Sequence, residues 1–404
     1  RMPEFLTGGT TDVNSRGTIT AAIILGTIGV LAFIVQPGLV QGFVVELGLS
    51  EAEANDLAFA EMVGVAIATY LVATLGHTLN WRLIVSLSLL LSAAGNFASA
   101  SDTLGGLLGY SRFITGLGEG GVISMSFTVI GLTTKTERNL ALYLVLLLTY
   151  GAFGLWAMPY LFDTIGLSGI FLAWAVLTLM SIATVPFLPV SSSASAQVRP
   201  SARTLGLPMV LVAMLGLLAY NSAIGIAWAN LFLIGMEIRP DEQAIAGALL
   251  ISQFVAIAGA LAAVALEVRL GLRKPIIFGI FGGAAAIALL LGSPGYALFI
   301  LSVALFNFLW NFVMPFILTA VGDMDERGEI MTYAIAMQMT GLGFGPFIAA
   351  RILDTGSGFQ AVIATSVFLL LASYVLLLIP MRAHDKALGA ELVHRNQGGS
   401  NTGT

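Results

Sequence analysis

Twelve long apolar segments run along the chain, and they restrict its fold more than any other feature of the sequence. A helix needs about 20 apolar residues to cross the roughly 30 Å of hydrocarbon in a bilayer. The segments are continuous, and they are longer than the ~10-residue alternating strands of a membrane barrel. They lie at about residues 18–44, 54–76, 82–100, 104–132, 139–162, 167–189, 207–235, 242–267, 275–292, 296–321, 330–353 and 359–381. The sequence therefore predicts an all-α membrane protein with twelve transmembrane helices.

The composition agrees with a surface that faces the lipid bilayer. Apolar residues make up 57% of the chain and charged residues only 10%, whereas a soluble domain is about one half apolar and one quarter charged. The net charge of −5 provides no basic field for nucleic acid. Cysteine is absent, which excludes thiol catalysis and Cys-ligated metal, and the three histidines are far apart. We expect no metal site, no cofactor and no enzymatic activity.

The longest polar interruption divides the chain into two equal sets of six segments. It is rich in serine, a composition typical of linkers. The predicted domains are an N-terminal six-helix bundle over residues 1–190, a cytoplasmic linker over 191–205, and a C-terminal bundle with a short polar tail over 206–404. Equal halves are typical of transporters that contain an internal repeat.

The positions of lysine and arginine predict the orientation in the membrane. With the N-terminus in the cytoplasm, fourteen of the seventeen basic residues fall on the cytoplasmic side, as the positive-inside rule requires. Only Arg239 and Arg351 then lie outside, and Arg112 lies within a span. We therefore predict a multi-pass protein of the plasma (inner) membrane with both termini in the cytoplasm.

The fourth predicted span contains the segment R-F-I-T-G-L-G, from Arg112 to Gly118. It resembles the R-x-x-x-G-x-G motif on the fourth helix of the major facilitator superfamily. The basic loop at 269–274 resembles half of the family's gating loop, and Glu326-Arg327-Gly328 resembles one of its paired E-R loops. The resemblance covers essentially the whole chain. It implies two pseudo-symmetric six-helix bundles that rock around a central cavity lined mainly by spans 1, 4, 7 and 10. It also makes Arg269, Arg273, Asp323 and Arg327 candidates for the cytoplasmic gate.

Within that family, an arginine followed by a glutamate seven residues later on span 4 resembles two branches. One branch comprises the organic anion symporters, and the other comprises the Spinster-like lipid transporters. Both branches usually carry a charged residue on span 1 as well. This chain has Gln36 and Gln41 there instead.

Three ionisable side chains, Glu61, Arg112 and Glu119, lie well inside predicted spans. Such residues are costly in a membrane and usually functional. Arg112 and Glu119 share one helical face, offset by about 10 Å along the axis. A planar guanidinium suits a carboxylate or phosphate, so Arg112 is the candidate ligand for an anionic substrate. Glu119 and Glu61 are the candidates for proton coupling. The alternative is a structural ion pair between Glu61 and Arg112, which their similar depth allows.

The second half of the chain offers amide and aromatic side chains inside its spans. Asn307, Trp310 and Asn311 stand at i, i+3 and i+4 and so share a face. With Tyr220 on span 7 and Gln36 on span 1, they complete the predicted substrate-binding set, and Gln253 on span 8 is expected to face inward too. Aromatic walls with a few polar groups suit a small ligand. The alternative role of the amides is hydrogen bonding between helices.

These features favour a secondary active transporter of a small, carboxylate-like organic anion, a proton-coupled symporter that works by alternating access. We expect it to act as a monomer with its substrate and protons as partners. The first alternative is an exporter of amphipathic or lysolipid-like molecules. The second is a receptor or scaffold with a degenerate transport core. That alternative rests on His77, which stands where the family's gating loop usually has aspartate.

Overall fold

The computed structural model describes residues 11–101, 106–191, 205–324 and 329–399. Within these ranges the regular structure is entirely helical. We number the membrane-crossing segments as spans 1–12, and we call spans 1–6 the first half and spans 7–12 the second half. The helices are Arg16–Ile28, Leu31–Ile34 and Gln36–Leu47 (span 1), Glu51–Leu75 (span 2), Trp81–Ser101 (span 3), Leu108–Gly131 (span 4), Thr136–Met180 with the 3-10 turn Ser181–Phe187 (spans 5 and 6), Leu207–Ile238 (span 7), Glu242–Leu270 (span 8), Arg273–Ala288 (span 9), Tyr296–Gly322 (span 10), Glu329–Asp354 (span 11) and Gly358–Gly399 (span 12).

The structure confirms the prediction of twelve spans. By length and composition, eight of the described helices could each cross a membrane. One of the eight, Thr136–Phe187, bends at Gly166, where the backbone takes φ 67° and ψ 177°. Only glycine adopts that conformation readily, and the bend separates span 5 from span 6. The broken span 1 and the helices Arg273–Ala288 and Glu329–Asp354 bring the total to twelve.

Span 1 is not the single helix that the sequence predicted, because its helical geometry fails at two points. Val30 and Val35 have non-helical backbone angles, with φ of −126° and −109°. Pro37 follows the second break, at the start of the last helical piece. The N–H groups at a helix start have no acceptor within the helix, so the N–H that proline lacks costs no hydrogen bond there. Broken helices within a membrane protein line cavities or are buried in protein, so the break marks the region in which a ligand site is expected.

Glycines allow span 4 to lie directly against spans 2 and 3. A Cβ atom at Gly116 would overlap the backbone oxygen of Glu61 on span 2, and one at Gly118 would overlap the backbone oxygen of Ser88 on span 3. Small residues that let helix backbones approach closely are the usual device for packing helices in lipid. This packing brings Glu61 next to the residues of span 4.

We expect Gly116→Ala to destabilise the protein, because backbone atoms of span 2 cannot move aside as a flexible side chain could. Overpacking of this kind costs about 1–3 kcal/mol. Gly131→Ala is the matched control, since an added Cβ there meets no atom within 4 Å. Thermal unfolding in detergent should show a lower midpoint for Gly116→Ala only. Equal midpoints for the two variants would contradict this account of the packing.

Polar contacts join the two halves near the predicted outer ends of the spans, and we call the contacts of three residue pairs the outer closure. They are the two reciprocal hydrogen bonds between Asn55 and Asn230 (2.8 and 3.0 Å), the Asp56–Arg351 ion pair (2.5 Å) and the hydrogen bond from Gln41 Nε2 to Glu242 Oε1 (3.3 Å). Further in, Phe59 of span 2 packs on Phe347 of span 11, with ring centroids 4.9 Å apart. The described conformation is therefore closed on the predicted outer side.

The predicted linker at 191–205 lies almost entirely outside the described residues. The division into domains at that segment therefore stays a prediction.

Candidate functional site

A buried ion pair between Arg112 of span 4 and Glu61 of span 2 forms the centre of the candidate site. The guanidinium contacts both carboxylate oxygens, with Nε 3.3 Å from Oε2 and Nη2 bonded to Oε1. Arg112 has no solvent exposure, and Glu61 is 4% exposed. A two-point contact of this kind satisfies the planar geometry of both groups. The pair that the sequence allowed is thus present in the described conformation.

Two further side chains enclose the Arg112 guanidinium within the first half. Its Nη1 donates a hydrogen bond of 2.8 Å to Asn96 Oδ1 on span 3. The ring of Phe171 on span 6 lies against it, with the centroid 4.7 Å from Cζ. An aromatic face attracts a cation electrostatically, and a desolvated arrangement strengthens that attraction. In this conformation the protein itself supplies the partners that the sequence analysis assigned to a substrate.

The carboxyl group of Glu119 lies within hydrogen-bonding reach of the Glu61 carboxyl group. Glu119 is only 3% exposed. A hydrogen bond between two carboxyl groups requires a proton on one of them, since ionised carboxylates only accept. We call Arg112, Glu61 and Glu119 the charged triad. With both carboxyl groups ionised it carries a net charge of −1, and with one shared proton it is neutral.

Spans 4 and 5 both contact the break in span 1. Gly29, at the first break, packs so closely on span 4 that an added Cβ would lie 3.2 Å from the Glu119 backbone oxygen. The Tyr150 hydroxyl of span 5 donates a hydrogen bond of 2.9 Å to Leu31 O, inside the broken segment. The break is therefore stabilised by a side chain from another span, as irregular backbone at membrane depth requires.

The second half contributes an amide network between spans 8 and 10. Gln253 Nε2 donates to Asn307 Oδ1 at 3.3 Å. Asn307 Nδ2 in turn donates to Val303 O at 3.0 Å and to Ser252 Oγ at 3.2 Å. All its hydrogen bonds run within the second half, so Asn307 also has the helix-to-helix role that the sequence analysis kept as an alternative.

Aromatic side chains of spans 7 and 10 reach the break in span 1 from the second half. Trp228 Nε1 donates a hydrogen bond of 3.0 Å to Phe33 O. The ring of Trp310 lies 6.3 Å from that of Phe33 and 5.8 Å from that of Trp228, edge-on to both. The break thus lies at a junction of both halves, with charge on one side and neutral aromatic and amide groups on the other.

The other predicted substrate-binding residues are distributed around this junction. Gln36 follows the break directly and is buried, and its Oε1 has no hydrogen-bond donor among the described residues. Tyr220 is buried within span 7. Asn311 is half-buried and donates to Asn307 O at 2.9 Å. These residues thus lie in both halves beside the break. They do not surround one common point in the described conformation.

Three of the predicted gate residues, Arg269, Arg273 and Asp323, lie at the predicted cytoplasmic ends of second-half spans. Arg273 pairs with Asp385 of span 12 at 3.4 Å, and both side chains are about half exposed. Arg269 and Asp323 are exposed. Arg327 lies outside the described residues. The structure therefore shows one ion pair in this region, formed with a residue that the sequence analysis did not assign to the gate.

Asn96, Phe171 and Tyr150 belong to the site and were not predicted. Asn96 is an amide in an otherwise apolar and small-residue span, a signal that could have marked it as a partner of buried charge. Phe171 and Tyr150 carried no such signal, because aromatic residues are common throughout the spans.

Comparison with known proteins identifies the fold. The family described as the Major Facilitator Superfamily matches residues 19–325, which is 307 of the 404 residues. A D-xylose-proton symporter is 15% identical, with 89% of this chain and 96% of that chain covered and a TM-score of 0.69. A further similar structure, the transporter FucP in the outward conformation, is 16% identical, with coverages of 91% and 98% and a TM-score of 0.62.

The inward-open xylose transporter XylE from E. coli is also similar, at 15% identity, with coverages of 88% and 94% and a TM-score of 0.67. No curated protein matches the sequence significantly. At these identities the likeness to solved structures concerns the fold alone. It confirms the predicted fold class of twelve helices in two pseudo-symmetric six-helix bundles.

Proposed function

Because this chain belongs to the Major Facilitator Superfamily, a family of multi-pass membrane transporters, we propose that it is a proton-coupled symporter of a small organic anion. It works by alternating access in the plasma (inner) membrane, as a monomer with both termini in the cytoplasm. The observation that carries the proposal is the charged triad, in which Glu61 pairs with the buried Arg112 guanidinium and the buried Glu119 carboxyl group lies beside that of Glu61.

Charge balance in the triad supports proton coupling. An uncompensated charge is expensive in a buried site. Two ionised carboxyl groups beside one arginine have one negative charge that the arginine does not neutralise. A proton on the Glu61–Glu119 pair removes that charge. Binding or loss of this proton therefore changes the relative stability of conformations that bury the triad to different extents, which is the thermodynamic requirement for coupling.

The same balance favours an anionic substrate. When a substrate carboxylate binds the Arg112 guanidinium, it takes the place of the Glu61 carboxylate. Glu61 then takes the proton of Glu119, and Glu119 binds the proton that enters from solution. The guanidinium keeps one anionic partner throughout, and one proton enters with each monovalent anion. In the described conformation, closed on the outer side, Glu61 occupies the position that the substrate takes earlier in the cycle.

The gate residues form the opposite closure in this proposal. Arg269, Arg273 and Arg327 are the candidate cationic partners of Asp323 when the cytoplasmic side shuts, and the exposed Arg273–Asp385 pair would be exchanged in that step. Exposed ion pairs contribute only about 0–1 kcal/mol each, so such an exchange has a low thermodynamic cost. That suits a transporter whose two states are close in free energy.

Uptake by proteoliposomes tests the proposal. With an alkaline interior, we expect small carboxylates to accumulate faster and further in these vesicles than in protein-free vesicles, and a protonophore to abolish the difference. Amides of the same size, which lack the negative charge, should not accumulate. Accumulation of the amides, or carboxylate uptake indifferent to the proton gradient, would contradict the proposal.

Enclosure of Arg112 by protein groups favours a second candidate, an exporter of amphipathic or lysolipid-like molecules. In that case Arg112 has a structural role, and the cargo contacts the aromatic groups around the break, such as Trp228 and Trp310. The same vesicles, loaded with labelled lysophospholipid, would then release it in a proton-dependent way while small carboxylates remain outside.

A further inference from the structure

Gln253 presents a buried hydrogen-bond acceptor that no group of the described residues uses. The residue is 1% exposed, and its Oε1 has no donor among the described residues. An unsatisfied buried polar atom costs free energy comparable to a lost hydrogen bond. Each such atom in a native structure therefore calls for an explanation. Gln253 is the only described residue of span 8 with such an atom.

The neighbouring hydrogen bonds set the orientation of this amide. Asn307 Nδ2 donates to Val303 O, so Asn307 Oδ1 is the acceptor that faces Gln253. Gln253 must then turn its Nε2 towards Asn307, at 3.3 Å. Exchanging the two ends of the Gln253 amide would place two acceptor oxygens against each other. Oε1 is therefore aimed away from span 10.

The free oxygen points across the boundary between the two halves, at the break in span 1. An added Cβ on Gly151 of span 5 would lie 2.9 Å from Gln253 Oε1 and 2.8 Å from Ile34 Cγ1 of the broken segment. Gly151, having no side chain, therefore separates the buried oxygen from the broken segment by no more than its own backbone. Tyr150, which precedes Gly151, holds the break through Leu31 O.

We propose that Gln253 Oε1 accepts a hydrogen bond from a hydroxyl or amino group of the substrate, so that the transported anions are hydroxy or amino acids rather than plain carboxylates. This inference rests on the proposed function, which supplies the carboxylate partner Arg112. An amide oxygen only accepts hydrogen bonds, so the substrate group that pairs with it must carry an O–H or N–H donor. The two recognition points lie in different halves, so a substrate that uses both would bring the halves together.

The test compares uptake of propionate with uptake of its 2-hydroxy and 3-hydroxy derivatives under a proton gradient. We expect at least one hydroxy acid to have a KM about tenfold lower than propionate, since one hydrogen bond to an otherwise unpaired buried group is of that size. Gln253→Met removes the acceptor at similar volume. It should raise the KM of the hydroxy acid to near that of propionate, and the thermal unfolding midpoint in detergent shows whether the variant is folded.

A second variant examines the same oxygen without changing it. Gly151→Ala crowds Gln253 Oε1 and should reduce the preference for the hydroxy acid. Gly154→Ala is its matched control, because an added Cβ there lies 2.8 Å from Val35 Cγ1 of span 1 but does not approach Gln253. Gln41→Met, at another buried glutamine with an unpaired Oε1, should leave the preference intact.

The outcomes separate this inference from the proposed function. Equal KM values in the wild type, or a preference that survives Gln253→Met, would overturn the inference alone. If none of the three carboxylates accumulates under the gradient, the proposed function fails and the inference falls with it.

Discussion

Arg112→Met is expected to lower the free energy of unfolding by about 3–5 kcal/mol, the usual cost of removing one partner of a buried ion pair. The guanidinium has no solvent exposure and bonds to Glu61 and Asn96. Without it, Glu61 and Glu119 remain as two adjacent carboxyl groups in a buried site. Reversible unfolding in mixed micelles, monitored by tryptophan fluorescence, measures the effect.

A double-mutant cycle shows whether the loss comes from the stranded carboxylate. Replacing a whole buried pair by apolar groups is often neutral, so Arg112→Met combined with Glu61→Leu should recover most of the stability. Arg239→Met is the matched control. Its pair with Asp241 is nearly half exposed on both sides, and such pairs contribute about 0–1 kcal/mol. Equal losses for Arg112→Met and Arg239→Met would contradict the account.

Glu119→Gln is expected to abolish accumulation driven by a proton gradient. The amide can still donate a hydrogen bond to Glu61, but it cannot take up or release a proton. Binding and exchange of substrate should therefore persist while concentrative uptake falls at least tenfold, because the gradient no longer performs work. Counterflow in proteoliposomes measures exchange, and uptake with an alkaline interior measures accumulation.

Glu46→Gln controls for the loss of a carboxylate as such, since Glu46 is exposed at the outer end of span 1. It should leave accumulation unchanged. If Glu119→Gln accumulates substrate as well as the wild type does, Glu119 is not the proton site.

The fold was predictable because the thickness of the bilayer sets the length of each apolar segment. The expected segment at 207–235 corresponds to the helix Leu207–Ile238, and that at 54–76 to Glu51–Leu75. The break in span 1 was missed because its free carbonyl groups are satisfied by Tyr150 and Trp228. Those partners stand more than a hundred residues away, and nothing in the local sequence identifies them.

The site was predictable only in its charged residues. Charges are so rare inside the spans that Glu61, Arg112 and Glu119 stood out at once. Their helical spacing related Arg112 to Glu119 but contained no information on how span 2 approaches span 4. That approach depends on Gly116 and on the backbone of Glu61, and it is what brings the second carboxyl group to the first.

The charged triad lies wholly in the first half, whereas the amide network lies wholly in the second. In a fold whose halves are related by pseudo-symmetry, the two halves therefore differ in the buried polar groups that they contain. Under the proposed function, mutations in spans 8 and 10 would change which compound is carried without altering the groups that bind the proton. A lineage would then change its substrate by altering one half, while selection preserves the other half.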